Sequence, residues 1–251
     1  MIATSEKWLV PLRRSPAPHL QIICFPHAGG WPSAFHTWVG LLPDGVDLLV
    51  GQLPGHGARL YEEPVRSIDV IAQALVERIA PLSDRPYVLV GHSFGSVLAF
   101  ELTRHLRRRG YALPELVLIS ARQAPHVRSD PPFVHLMDDA TLLAYLEQVE
   151  GIPALIRGRE ELLAPVLRTI RADFQALETY GYASEPSLSI PLIACGAADD
   201  PVVSSGSLRL WEAHTNRSFE LHLLRGGHFY LYQKANIRRL IAILVKRSAR
   251  K

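Results

Sequence analysis

The sequence predicts an α/β protein built on one mostly parallel sheet covered by helices. Three observations carry that prediction. Short, continuously apolar runs recur along the chain, as strands buried on both faces require. Segments with apolar residues at helical spacing separate these runs. The composition, 48% hydrophobic and 20% charged over 251 residues, describes one folded domain rather than a disordered chain.

The elements follow in order. Residues 20–25, Leu-Gln-Ile-Ile-Cys-Phe, read as a buried strand. Ser33 is placed to cap a helix carrying Phe35, Trp38, Val39 and Leu42. Residues 46–50 form a second strand, and Ser67 caps a helix with Ile68, Ile71, Leu75 and Ile79 on one face. A third strand spans 87–90. The helix after it runs from about Phe94 to Arg109 and stops at Gly110. Residues 116–119 make a fourth strand. The rhythm returns with strands at 190–195 and 219–224 and helices at 205–214 and 236–246. Between them, residues 121–189 hold no sheet strand. They carry two helical patterns, one with Leu142, Leu143, Leu146 and Val149, the other with Leu163, Val166, Leu167, Ile170, Phe174 and Leu177. A structureless loop of that length is improbable in a compact domain, so a helical insertion mounted on the sheet is expected.

Composition excludes several classes. Two cysteines, Cys24 and Cys195, make neither a disulfide scaffold nor a zinc site, and their apolar surroundings indicate buried thiols in a reducing compartment. No apolar run reaches the roughly 18 residues of a membrane span. Residues 1–16 lack a signal-type apolar segment, so a cytoplasmic protein is expected. The net charge of +3 is mild, and without a reader motif nucleic-acid binding is not expected. The basic runs Arg104, Arg107–Arg109 and Arg247, Arg250, Lys251 read first as ordinary pairing and solvation at helix C-termini.

Gly91-His92-Ser93-Phe94-Gly95 carries the chemistry. The pattern G-x-S-x-G is weak alone. Here it follows a strand directly and opens an amphipathic helix, the setting of a nucleophile elbow. A serine hydroxyl needs a base, and the base needs an orienting acid, in chain order Ser, Asp or Glu, His. Of 11 histidines, His228 follows the last strand and the turn Arg225-Gly226-Gly227, at the same sheet edge as Ser93. His222 lies within that strand, and the side chain of His92 should point away from that of Ser93. The acid should follow the strand 190–195, where Asp199 and Asp200 compete. Counting from Gly196 favours Asp199; the Asp200-Pro201 step, which fixes the turn just after the acid, favours Asp200. One oxyanion-hole donor should be the amide of Phe94. The other should come from Pro26-His27-Ala28-Gly29-Gly30, with Ala28 favoured.

Further segments match a known family. They are Phe25-Pro26-His27-Ala28-Gly29-Gly30, Leu53-Pro54-Gly55 with Arg59 and Glu63-Pro64, the elbow itself, Phe100-Glu101-Leu102, residues 120–125, Arg171-Ala172-Asp173-Phe174 and Gly226-Gly227-His228-Phe229-Tyr230-Leu231. The chain resembles the type II thioesterases of polyketide and nonribosomal peptide synthesis, members of the α/β-hydrolase superfamily. His56 stands where that family's pattern has arginine, and Phe94 where methionine is usual, so the Phe94 ring is expected to narrow the acyl pocket. The resemblance implies that residues 121–189 form a mobile lid. It implies an oxyanion hole from Ala28 and Phe94, and it supports Asp200 as the acid. It also implies two-step acyl transfer through Ser93, Asp200 and His228 with no metal or cofactor. The substrates it implies are acyl groups on the phosphopantetheine arm of acyl or peptidyl carrier proteins, with clearance of stalled or wrongly primed units as the role. A carboxylesterase, an acyl-CoA thioesterase, a terminal release domain of a synthase and a non-catalytic binding member are the rival readings. A free-standing monomer is expected.

Overall fold

A computed structural model describes residues 8–128, 130–149, 151 and 159–248. Its centre is a seven-stranded sheet in the order β1-β3-β2-β4-β5-β6-β7. The strands are β1 (Leu9–Arg13), β2 (Leu20–Phe25), β3 (Val46–Gly51), β4 (Tyr87–His92), β5 (Val117–Ser120), β6 (Leu192–Ala197) and β7 (Phe219–Leu224). All neighbours pair parallel except β1, which runs antiparallel to β3 along one edge. This is the mostly parallel sheet that the alternation of strands and helices predicts, in the α/β-hydrolase form that the resemblance implies.

Alternation along each strand divides the core into two layers. Ile23, Phe25, Leu49, Leu89, Val117, Ile119, Leu192 and Ala194 face α2 (Ile68–Ile79) and α3 (Phe94–Arg108). Ile22, Cys24, Val50, Val88, Val90, Leu118, Ile193 and Cys195 face α1 (His36–Val39) and α7 (Lys234–Ser248). Both cysteines are free and fully buried, one in β2 and one in β6.

Two expectations need correcting. Ser33 caps nothing: Trp31 holds the cap position without a side-chain bond, and Pro32 opens a 3₁₀ turn, Pro32–Phe35, that leads into α1. Proline suits that first position because its missing N–H has no helical partner to lose. The strand β1 was not expected. It is a half-exposed edge strand containing Pro11, with a register shift between Pro11 and Arg13, so it lacks the continuous apolar signature of the inner strands. Ser67 does cap α2, accepting from the Val70 amide at 3.4 Å. The helix expected over 205–214 is a short α6 (Ser205–Arg209) continued by a 3₁₀ segment, Leu210–His214.

Between β5 and β6 lie α4 (Asp139–Gln148) and α5 (Glu160–Glu178). Leu142, Leu146, Val166, Leu167 and Ile170 from these helices pack on Leu60 and Val134 as a small separate core. The basic run that ends α3 is internally paired. Arg104 meets Glu101 at 2.5 Å and Glu185 at 2.7 Å, Arg107 and Arg108 also meet Glu185, and Arg109 meets Glu77. Among the described residues no helix is long and apolar enough to cross a membrane.

Candidate active site

Parallel strands bring their C-terminal ends to one sheet edge, and the loops that leave β2, β4, β6 and β7 meet there. Phe25 of β2 is in register with Gly91 of β4, so the turn at Pro26–Gly30 lies beside the turn that carries Ser93. Ser93 has φ 53° and ψ −111°, a strained left-handed conformation at the cap of α3. Its amide donates to Ser120 O at 2.7 Å. The two elbow glycines are dictated by space. A Cβ on Gly91 would lie 2.2 Å from Gly95 O, and one on Gly95 would lie 2.1 Å from Phe25 O. That closeness lets the Gly95 amide donate to Pro26 O at 3.1 Å, locking the start of α3 under the turn that holds Ala28.

His228 follows β7 and is buried. Its Nδ1 lies 3.1 and 3.0 Å from the two carboxylate oxygens of Asp200. A carboxylate only accepts, so Nδ1 carries the proton and Nε2 of the neutral ring keeps its lone pair. The Asp200 side chain is fully buried. Its Oδ1 also accepts from the amides of Val202 at 2.8 Å and Val203 at 3.2 Å, across the turn that Pro201 sets. Burial pushes the Asp200 carboxyl upward. The bond and charge of His228 and the two amides outweigh it and hold the carboxyl below its ordinary range. The side chain of Asp199 is solvent-exposed.

Ser93, Ala28 and His228 line one cavity of about 360 Å³. Most of its apolar wall comes from the insertion, through Val134, Met137, Tyr145, Val149, Phe174 and Leu177, with Val202 and Phe229 completing it. Arg122, in the loop after β5, and Glu178, at the end of α5, supply polar lining that the sequence did not single out, because neither local sequence announces which side chains turn inward. Burial lowers the Arg122 guanidinium to about 10, against the pull of Glu178, so it remains a cation at neutral pH. The Phe94 ring is not part of this wall. It is buried in the core against Leu53 and Leu98, so it does not narrow the cavity as expected.

Two further histidines flank His228 and stay uncharged. His92 turns to β5, where its Nδ1 meets Ser120 Oγ at 2.8 Å, and that hydroxyl meets the Tyr230 hydroxyl at 2.6 Å. His27 Nδ1 meets the Tyr232 hydroxyl at 2.8 Å. Burial, and then the nearby His228, lower both rings, His27 to about 3.

The family model for the thioesterase domain matches residues 20–247. The chain belongs to the thioesterase family. This thioesterase is 32% identical over 232 residues to the gramicidin S biosynthesis protein GrsT of Aneurinibacillus migulanus, which covers 92% of this chain and 91% of that one. Among solved structures it is similar to BorB, a type II thioesterase from the borrelidin biosynthetic cluster. The identity is 36% and the TM-score 0.87, with 96% of this chain and 97% of that one covered. It is likewise similar to RedJ, the thioesterase from the prodiginine pathway in Streptomyces coelicolor, at 33% identity, TM-score 0.86 and 95% coverage of both chains.

Proposed function

We propose that this thioesterase hydrolyses acyl thioesters carried on the phosphopantetheine arm of acyl or peptidyl carrier proteins, with Ser93 as nucleophile. His228 Nε2 takes the Ser93 proton as Oγ attacks the thioester carbonyl. Asp200 holds the ring in that tautomer and stabilises its cation. The amides of Ala28 and Phe94 receive the oxyanion. The carbon–sulfur bond then breaks and the proton passes from His228 to the departing thiolate. Water, deprotonated by His228, attacks the acyl-serine ester, and Ser93 leaves with its proton restored as the acid is released.

The observation that carries this reading is the pairing of His228 with Asp200 beside a cavity that also holds Ser93, in a chain matched by the thioesterase model over residues 20–247. The apolar wall supplied by the insertion suits an acyl chain, and the volume lies in the range of small-molecule sites. The insertion at residues 121–189 acts as the lid of one domain. The names of the relatives, which place GrsT in gramicidin S biosynthesis and BorB in the borrelidin cluster, favour carrier-bound substrates and an editing role in polyketide or nonribosomal peptide assembly. The buried free thiols of Cys24 and Cys195 fit a reducing cytoplasm, and the protein acts as a monomer.

The test compares substrates. Medium-chain acyl groups are offered on a carrier protein, on coenzyme A and as a simple ester. The expected kcat/KM is highest for the carrier thioester. A preference for the simple ester or for acyl-CoA would replace this reading with that of a hydrolase acting on free substrates.

A further inference from the structure

One face of α5 meets two glycine-bearing turns, one at Gly55 and one at Gly29. Thr169 Oγ1 donates to Gly55 O at 2.8 Å. Ile170 closes over Gly29, where a Cβ would lie 2.3 Å from its Cγ1. One turn further along, Asp173 Oδ2 accepts from the Gly29 amide at 2.7 Å and meets His56 Nε2 at 2.8 Å. Asp173, His56 and Thr169 are all buried.

The partners of His56 fix its charge. Its Nδ1 lies 3.1 Å from Pro54 O, which only accepts. Its Nε2 faces a carboxylate, which also only accepts. Both ring nitrogens must donate, so His56 is an imidazolium. Burial opposes that charge, but the adjacent Asp173 outweighs it and raises the ring above its ordinary value of 6.5. A buried ion pair is weak evidence for stability and stronger evidence for one fixed geometry. What this pair fixes directly is the peptide that joins Ala28 to Gly29, and through the Ala28 Cα it restrains the amide of Ala28, one peptide back. Gly29 itself has φ +71°, a conformation the chain holds only with a local anchor or a glycine.

We propose that Asp173 is a positioning residue that sets the oxyanion-hole amide of Ala28 from the insertion helix α5, with His56 holding its carboxylate in place. The inference rests on the reading of Ala28 as an oxyanion donor. On this account the hole is assembled only while α5 is seated on the Pro26–Gly30 turn. The insertion therefore shapes the acyl cavity and also licenses the chemistry beneath it.

The test uses the whole protein and the variants Asp173→Asn, Asp173→Ala and His56→Gln, each checked for a cooperative thermal melt. Two quantities are read: kcat on a carrier-bound acyl thioester, and Kd for a medium-chain alkyl boronic acid, which forms a tetrahedral adduct on a serine. Asp173→Ala should lower kcat by about 10²–10³-fold, the usual effect of losing one oxyanion donor. KM should move by less than about threefold, because the interaction is realised in the transition state. Boronate affinity should fall in the same proportion as kcat. Asp173→Asn keeps the space filled and one acceptor in reach, so it should lose only about tenfold in both. It supplies the comparison if Asp173→Ala does not fold. Folded variants whose kcat is unchanged, or whose kcat falls while boronate affinity holds, would overturn the inference. Turnover that survives Ser93→Ala would instead strike the reading of the nucleophile beneath it.

Discussion

Asp199 and Asp200 are neighbours in sequence and opposites in environment. Asp199 is exposed, whereas Asp200 is buried, faces His228 Nδ1 through both oxygens and accepts two backbone amides. Asp200→Asn places an amide where the carboxylate fixes the tautomer, and a loss in kcat of about 10²–10⁴-fold is expected by analogy with serine-protease triads. Asp199→Asn should stay within about twofold of the wild type, measured on the same thioester. A larger loss at Asp199 would reverse the assignment. That Ser93, Asp200 and His228 lie at one sheet edge was readable because each follows a strand and each is marked by glycine or proline turn chemistry. Asp173 and His56 were visible only as parts of a resemblance. Their contact spans 117 residues and nothing in either local sequence announces it. The Phe94 ring was misread for a related reason: its position next to Ser93 fixes where its amide points, not which side of α3 its side chain packs on.

Among the elements, the elbow is the most tightly specified. Gly95→Ala must push a Cβ against the Phe25 carbonyl, separating α3 from β2 and tilting the Pro26–Gly30 turn. The expected outcome is a lower melting temperature together with at least a 100-fold loss of thioesterase activity. Gly40→Ala is the control, because Gly40 is exposed with no atom within 4 Å of its Cβ position; its stability should stay within about 0.5 kcal/mol of the wild type. Equal effects at the two positions would contradict the packing argument. Parallel strands buried on both faces and the long helices α2, α3, α5 and α7 write themselves into the sequence as apolar runs and helical periods. The edge strand β1 does not, since only Leu9 of its five residues is fully buried and Pro11 interrupts its pattern. The N-terminal end of the Pro32–Phe35 turn was likewise obscure, because proline rather than a side-chain cap begins it.

At the scale of the molecule, charge is arranged more by internal pairing than by net balance. The arginines that close α3 are tied to Glu77, Glu101 and Glu185, so the mild net charge of +3 says little about partners. Two buried groups link stability to pH in opposite directions. The raised His56 ring contributes stability that is fully present below its ordinary value of 6.5 and is lost as pH rises through its folded value. The depressed Asp200 carboxyl contributes stability present above its ordinary value of 3.8 and lost as pH falls through its folded value. The melting-temperature gap between wild type and His56→Gln should therefore be widest at or below pH 6.5 and narrow as pH rises beyond it. A gap that widens with pH would contradict the imidazolium assignment. The central claim, that carrier-bound thioesters are cleaved through Ser93, is tested most directly by acyl release from a loaded carrier protein, followed by mass spectrometry for wild type and Ser93→Ala side by side. The account predicts release by the wild type and none above the uncatalysed rate in the folded variant; comparable release by both would contradict it.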